Sequence, residues 1–246
     1  MNRKNYSYIG ISLIILIFGI IFIPKIIDRV SNEEVVSSDR LNRKTDKNNK
    51  DSSEELAYVI MNGKKRKAPE FKLVDQDGDT ITNEDYKGKV YVAEFFFTTC
   101  PSICPIMNRN LIEVEEEFAN NEKFGIASFT IDPGHDTPQV LKEYAEDHNI
   151  TDPDWHFLTG DRNDIYGLAN GGFNIYAGED DAVPGGFAHS GMFALVDQEG
   201  YIRSRNDKFG NPIIYYRGSV PRNTSITEGE QEPQVNLLIE DIKKLL

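Results

Sequence analysis

Cysteine is scarce in this sequence: among 246 residues there are only two, Cys100 and Cys104, and they lie four positions apart. A disulfide-stabilised scaffold uses more cysteines and spreads them along the chain, so that class of protein is excluded. Two thiols this close together instead indicate redox or metal chemistry. The plainer alternative is a pair of small buried side chains that only fill space.

Positive charge is scarce after residue 67. Residues 68–246 carry fourteen Lys and Arg against thirty-two Asp and Glu, a net charge of −18, whereas residues 1–67 carry a net charge of +5. A domain this acidic repels phosphate backbones, so we expect no nucleic-acid partner.

One long apolar run lies near the N-terminus. Residues 8–23 are almost continuously apolar, and residues 24–27 extend the run to about the length that crosses a bilayer. No Ala-x-Ala-like cleavage site follows, so residues 1–27 are predicted to be an uncleaved transmembrane signal anchor, with a cleaved signal peptide as the alternative. Positive residues on both sides leave the orientation open. Residues 28–67, rich in Ser, Asn, Asp, Glu and Lys, are predicted to be a flexible polar tether.

Residues 68–246 are predicted to form the folded domain. An N-terminal β-hairpin is expected where residues 71–74 and 79–82 flank a Gly turn. Strand-like and helical patterns then alternate: strands are predicted at 89–97, 124–131, 155–158, 192–196 and 201–203, and helices at 107–118, from 137, at 161–168 and at 235–246, with a Gly-rich loop at 171–186. This order predicts an α/β domain with a mixed sheet flanked by helices. A dithiol between the first central strand and its helix suggests a thioredoxin-like arrangement.

The spacing of the two cysteines favours a metal site. Cys100 and Cys104 are one helical turn apart at a predicted helix start, where the helix N-terminus stabilises thiolates. Thiolates prefer Cu(I), zinc or iron–sulfur clusters, but two cysteines cannot hold a cluster and a closed zinc site needs four ligands. Cu(I) accepts two or three soft ligands. A purely redox dithiol more often has two intervening residues, not three.

Four histidines could complete such a site. His148, near a helix end, is predicted to be solvated or capping, and His156, inside a short strand, to be structural. His135 and His189 both lie in predicted loops next to strand ends, where functional groups concentrate, and His189 is only slightly favoured. Near His135, Asp132 and Asp136 are predicted to be structural, with Asp136 or Thr137 capping the next helix.

Three segments resemble one known family. Residues 97–105 (FTTCPSICP) resemble the F-T-x-C-P-x-x-C-P signature of the SCO/SenC copper-binding proteins, and residues 130–138 (TIDPGHDTP) resemble that family's next motif. His189, followed by the strand at 192–196 and a Gly turn, resembles its third. The likeness covers approximately residues 68–246. Two departures are Ala188, where many members have an acidic residue, and a longer segment at 208–221.

The resemblance implies a thioredoxin-like fold with copper, as Cu(I) or as both Cu(I) and Cu(II), bound by Cys100, Cys104 and His189. It implies a single-pass inner-membrane protein whose domain faces the periplasm or its equivalent. The implied role is that of a metallochaperone, not primarily an enzyme, whose partners are the cytochrome c oxidase copper-site subunit or another copper chaperone. The alternative is a thiol–disulfide reductase acting on client cysteines through Cys100 and Cys104; a peroxiredoxin-type peroxidase is less favoured.

Overall fold

The computed structural model describes residues 16, 18, 22, 23, 55–119, 121–207, 210–224 and 231–246. The chain divides into two compact units, residues 1–50 and 51–246. In the first unit, the described residues are helical and exposed, and the rings of Phe18 and Phe22 stack with their centroids 4.0 Å apart. Nearly all of the anchor predicted over residues 1–27 lies outside the described residues. Within the described part of the chain, no helix has the length and apolar character needed to span a membrane.

The second unit is built on a mixed sheet. Its described strands are β1 (Ala57–Tyr58), β2 (Ile60–Met61), β3 (Lys64–Lys65), β4 (Lys72–Val74), β5 (Thr80–Thr82), β6 (Val90–Phe96), β7 (Phe124–Thr130), β8 (Trp155–Leu158), β9 (Ala177–Glu179), β10 (Phe187–His189), β11 (Met192–Val196), β12 (Ile202–Ser204) and β13 (Tyr216–Arg217). The main sheet has the order β1-β12-β11-β6-β7-β8, with β13 also paired to β11. β6, β7 and β8 are parallel, whereas β11 is antiparallel to β6. This confirms the predicted mixed α/β sheet.

The helices connect these strands. They are α1 (Cys104–Phe118), α2 (Pro138–Asp147), α3 (Arg162–Tyr166), which continues as a π-helical segment over Gly167–Phe173, and α4 (Val235–Leu245), with a 3-10 turn at Asn83–Tyr86. Pro105 fits the first turn of α1, where a missing N–H costs little. Thr137 caps α2 by accepting a hydrogen bond from the Val140 N–H. Of the two cap candidates before α2, Thr137 is therefore the cap, and Asp136 has another role.

The core lies on the two central parallel strands. Every residue of β6 and of β7 is buried, which agrees with the dense apolar runs from which they were predicted. Because β6 ends at the centre of the sheet, the segment after it emerges at the edge where β7 also ends and the antiparallel β11 begins. The cysteines follow there.

The structure extends the sheet beyond the expected start of the domain at Ala68. β1 pairs with β12, and the ring of Tyr58 lies between Arg203, 3.8 Å away, and Lys65, 3.4 Å away. Residues 57–67 therefore belong to the folded unit, although they fall in the segment predicted as a tether. Their strands are only two residues long, so they are too short to show a period and gave no strand signal.

The segment predicted as a Gly-rich loop is also more ordered than expected. It contains the end of the π-helical segment and strand β9, which pairs with β10. His189 therefore ends a β-strand and does not lie in a loop. Similarly, the longer segment at 208–221 includes β13, which pairs with β11 through Tyr216 and Arg217.

Candidate metal centre

Both cysteines lie where the chain passes from β6 to α1. We call residues 97–103 the dithiol loop. Cys100 lies within it and donates its backbone N–H to the Phe97 carbonyl at 3.2 Å. Cys104 is the first residue of α1. Both are free thiols, and their exposed fractions are 8% for Cys100 and 2% for Cys104. The site is therefore shielded, with Cys100 on its more accessible side.

The β9–β10 hairpin brings His189 to the thiols. Its Nε2 atom lies 3.1 Å from the Cys104 Sγ atom, although the two residues are 85 positions apart. The hairpin rests on the dithiol loop, because the Phe187 and Phe97 rings pack with centroids 5.2 Å apart. At the hairpin turn, Gly185 has a φ of +92°, and a Cβ atom there would lie 3.0 Å from the Phe97 ring. A residue with a Cβ atom would be strained in this left-handed conformation and would crowd the Phe97 ring.

Three potential metal-binding atoms meet at this point. The Sγ atoms of Cys100 and Cys104 and a ring nitrogen of His189 all lie within 4.8 Å of one another. Within the described ranges, this is the one group of three or more His, Cys, Asp or Glu side chains that meets this condition. Two soft sulfurs and one imidazole are a donor set that suits copper in its reduced state.

Hydrogen bonding makes the two sulfurs unequal. A hydrogen bond from the Cys104 thiol holds the pKa of Cys100 well below its ordinary value; burial opposes this, and His189 adds to it. The same hydrogen bond, with burial, raises the pKa of Cys104. The pKa values of the two thiols therefore move in opposite directions, and Cys100 is the more acidic of the pair. An entering metal ion meets Cys100 as the sulfur that loses its proton more readily.

The other three histidines have different partners. The His135 Nδ1 atom lies 2.9 Å from the Asp136 carboxylate, and this bond raises the pKa of His135. His148 follows α2, with Nδ1 2.8 Å from the Tyr144 carbonyl, and His156 in β8 lies 3.1 Å from the Asp75 carboxylate. The expectations for His148 and His156 are confirmed. Of the two candidates left open by the sequence, His189 lies next to the cysteines, whereas His135 is bound to Asp136.

A buried acid beneath the site was missed from the sequence. Glu94, in β6, is 2% exposed, and its Oε1 atom accepts a hydrogen bond from the Ser128 hydroxyl at 2.7 Å. The Ser128 hydroxyl oxygen in turn accepts a hydrogen bond from the Trp155 indole N–H at 3.0 Å. Its Oε2 atom is buried and has no hydrogen-bond partner in the described part of the chain. Burial raises the pKa of Glu94 to about 7, with the Ser128 bond acting in the opposite direction. The available signal was one acidic residue inside an otherwise apolar run.

Residues 60–217 match the family model described as SCO1/SenC. A curated relative, the SCO1 protein homolog of Bacillus subtilis (strain 168), is 33% identical over 54% of this chain and 69% of its own length. The chain belongs to the SCO1/SenC family. The resemblance inferred from the three motifs is thereby confirmed.

Two further similarities are informative about the SCO1/SenC fold and its chemistry. The structure of BsSco, which is described as having a disulfide switch and as a member of the Sco family of cytochrome c oxidase assembly proteins, is 26% identical and has a TM-score of 0.58, covering 73% of this chain and 93% of that one. A protein of Stutzerimonas stutzeri, provisionally named as copper-binding, is 30% identical over 60% of this chain and 72% of its own length. This chain covers 64 to 66% of the length of four other curated relatives.

His189 directs Nε2 towards Cys104, while its Nδ1 atom is buried and has no hydrogen-bond partner in the described residues. Metal-binding histidines usually donate this second N–H to a carboxylate or carbonyl, which fixes the ring. Here the ring is oriented by packing, because it lies edge-on to Phe97 at a centroid distance of 6.1 Å.

Proposed function

We propose that this SCO1/SenC protein binds copper through the Sγ atoms of Cys100 and Cys104 and the Nε2 atom of His189, and passes it to a client. The observation that carries the proposal is the convergence of these three atoms within 4.8 Å. A zinc site closed by protein ligands needs a fourth donor, whereas Cu(I) is satisfied by three. The copper-binding name of the Stutzerimonas stutzeri relative supports the same cargo.

The proposed delivery is an exchange of ligands. Cu(I) binds first to the Cys100 thiolate, and Cys104 loses its proton as its sulfur joins the metal, so affinity falls as pH decreases. His189 completes the site. Because His189 is half-buried and Cys100 is the more exposed of the two buried cysteines, a client thiol or imidazole can enter the coordination sphere as one of them leaves.

The proposed client is the copper-site subunit of cytochrome c oxidase, and another copper chaperone is the proposed source. This proposal is supported by the description of BsSco as belonging to a family of cytochrome c oxidase assembly proteins. We further propose that residues 1–27 anchor the chain in the inner membrane, with the domain on the extracytoplasmic side. An anchor would place the copper site near a membrane-bound client.

His189→Ala is expected to weaken Cu(I) binding by about ten- to a hundredfold, because two thiolates remain and can hold Cu(I) in a linear arrangement. The measurement is competition against a chromophoric Cu(I) chelator. His148→Ala is the matched control, since it removes an imidazole that binds the Tyr144 carbonyl at the end of α2 and does not bind either cysteine. Equal Cu(I) affinities in the His189→Ala variant and the parent would remove His189 from the proposed site.

A second function, thiol–disulfide reduction, is favoured by the hydrogen-bonded pair of thiols. The Cys100 thiolate would attack a client disulfide, forming a mixed disulfide and releasing one client thiolate. The Cys104 sulfur would then attack Cys100, releasing the second client thiol and leaving Cys100 and Cys104 oxidised as a disulfide; two electrons pass to the client. This reaction needs both cysteines but not His189. Full reductase activity in the His189→Ala variant, measured on a disulfide-containing peptide, is its expected signature.

A further inference from the structure

Of the two proposed cysteine ligands, the one in the dithiol loop is held less firmly than the one in α1. Cys104 is fixed by the first turn of α1, but Cys100 lies within the loop, so its position depends on what fastens that loop. Phe97 is fixed by packing on one side. The next residue, Thr98, is the point at which a side chain from another part of the sheet binds the loop.

That side chain is Asp136, which is completely buried in the segment between β7 and α2. Its Oδ2 atom accepts hydrogen bonds from the Thr98 backbone N–H at 3.0 Å and from the Thr130 hydroxyl. Its Oδ1 atom accepts from the Thr98 hydroxyl and from the His135 Nδ1 atom at 2.9 Å. One carboxylate therefore ties the dithiol loop to the end of β7.

We infer that Asp136 is a positioning residue for the copper site: by binding Thr98 it sets the place of Cys100 relative to Cys104 and His189. This inference rests on the proposed copper function. All four groups that face the Asp136 carboxylate act as donors. Two of these four hydrogen bonds come from Thr98, one from its backbone N–H and one from its hydroxyl. An amide in place of the carboxylate would turn an NH₂ group towards some of these donors, so the loop would lose part of its attachment. Metal sites depend on such supporting contacts because their ligands must be held to within a fraction of an ångström.

The test compares Asp136→Asn with Asp75→Asn in the full chain. Asp75 is a close match: it is 3% exposed, accepts from two backbone N–H groups and lies 3.1 Å from a histidine Nδ1 atom. It lies in the turn between β4 and β5, outside the dithiol loop. Both variants are expected to lose stability to urea. Only Asp136→Asn is expected to weaken Cu(I) binding, by about tenfold, and to change the thiolate-to-Cu(II) absorption band.

A second readout needs no copper. In the metal-free chain, Asp136→Asn is expected to accelerate amide hydrogen exchange in residues 98–102 by about tenfold, while Asp75→Asn accelerates exchange only around residues 75–79. If Asp136→Asn does not fold, Thr98→Val replaces it, with Thr130→Val as its control, because only the former removes a bond to the loop.

The outcomes separate this inference from the proposed function. Unchanged exchange in the dithiol loop overturns the inference, whatever the chain binds. Equal losses of Cu(I) affinity in Asp136→Asn and Asp75→Asn also overturn it, since the effect would then be one of general stability. Failure of the parent chain to bind Cu(I) overturns the proposed function and, with it, the claim that the loop is positioned for copper.

Discussion

Cys100→Ser is expected to lower the Cu(I) affinity of the full chain by on the order of a thousandfold. Changing a residue outside the ligand set typically costs about ten- to a hundredfold in metal affinity, and removing one of the two thiolates, the strongest donors of the set, costs more. Serine keeps the size of the side chain but offers a hard hydroxyl oxygen, which Cu(I) binds poorly. The loss exceeds that in His189→Ala because Cys100 supplies a soft sulfur, which Cu(I) binds more strongly than an imidazole nitrogen, and the lowered pKa of Cys100 favours its thiolate form.

The measurement for Cys100→Ser is competition with a chromophoric Cu(I) chelator at constant pH. Thr99→Ala provides the control, since Thr99 is the exposed neighbour in the same loop. It should bind Cu(I) as the parent does. If Cys100→Ser retained an affinity within about threefold of the parent, Cys100 would not be a ligand and the buried pair would be structural.

Glu94→Gln is expected to remove a pH-dependent loss of stability. In the folded protein, burial raises the pKa of Glu94 to about 7, compared with 4.5 for an ordinary glutamate. Below pH 4.5 the carboxyl is protonated in both the folded and the unfolded chain, and its contribution to stability is complete. Between pH 4.5 and 7 the unfolded chain releases the proton while the folded chain keeps it, so the free energy of unfolding falls as pH rises. The total fall from this group is about 3 kcal/mol, and it levels off above pH 7.

Urea unfolding of parent and variant at pH 5 and pH 8 measures this fall. The fluorescence of Trp155, the single tryptophan of the chain, is a suitable probe because its indole belongs to the same hydrogen-bonded chain. Glu94→Gln keeps an acceptor for the Ser128 hydroxyl and has no charge to bury. Its free energy of unfolding should therefore increase relative to that of the parent as pH rises. Glu70→Gln, at an exposed position, is the control, and its free energy of unfolding should follow that of the parent at both pH values. The same pH dependence in parent and Glu94→Gln would mean that Glu94 is ionised in the folded chain at pH 5.

Elements with a strong local pattern were predictable from the sequence. The runs that became β6 and β7 were recognised because both faces of these strands are buried, and the start of α2 because Thr137-Pro138 is a local cap signal. The short strand β1 had no such signal, since it is stabilised by its pairing with β12 and by the contacts of Tyr58 with distant cations. Its formation depends on tertiary contacts.

The site was predictable in composition but not in assembly. The two cysteines indicate a soft metal by type and spacing, yet nothing local distinguishes His189 from His135, because the β9–β10 hairpin that brings His189 to Cys104 forms from a Gly-rich segment. Asp136 looked like a helix cap for the same reason: its partner Thr98 is 38 residues away. Long-range contacts decide the role of both residues.

X-ray absorption on the Cu(I)-loaded full chain tests the central claim most directly, because it counts the atoms bound to copper. The proposed site predicts two sulfur ligands and one imidazole nitrogen per copper, and the loss of the nitrogen contribution in His189→Ala. A copper ion bound by nitrogen and oxygen alone, or a nitrogen contribution that survives in His189→Ala, would contradict the site formed by Cys100, Cys104 and His189.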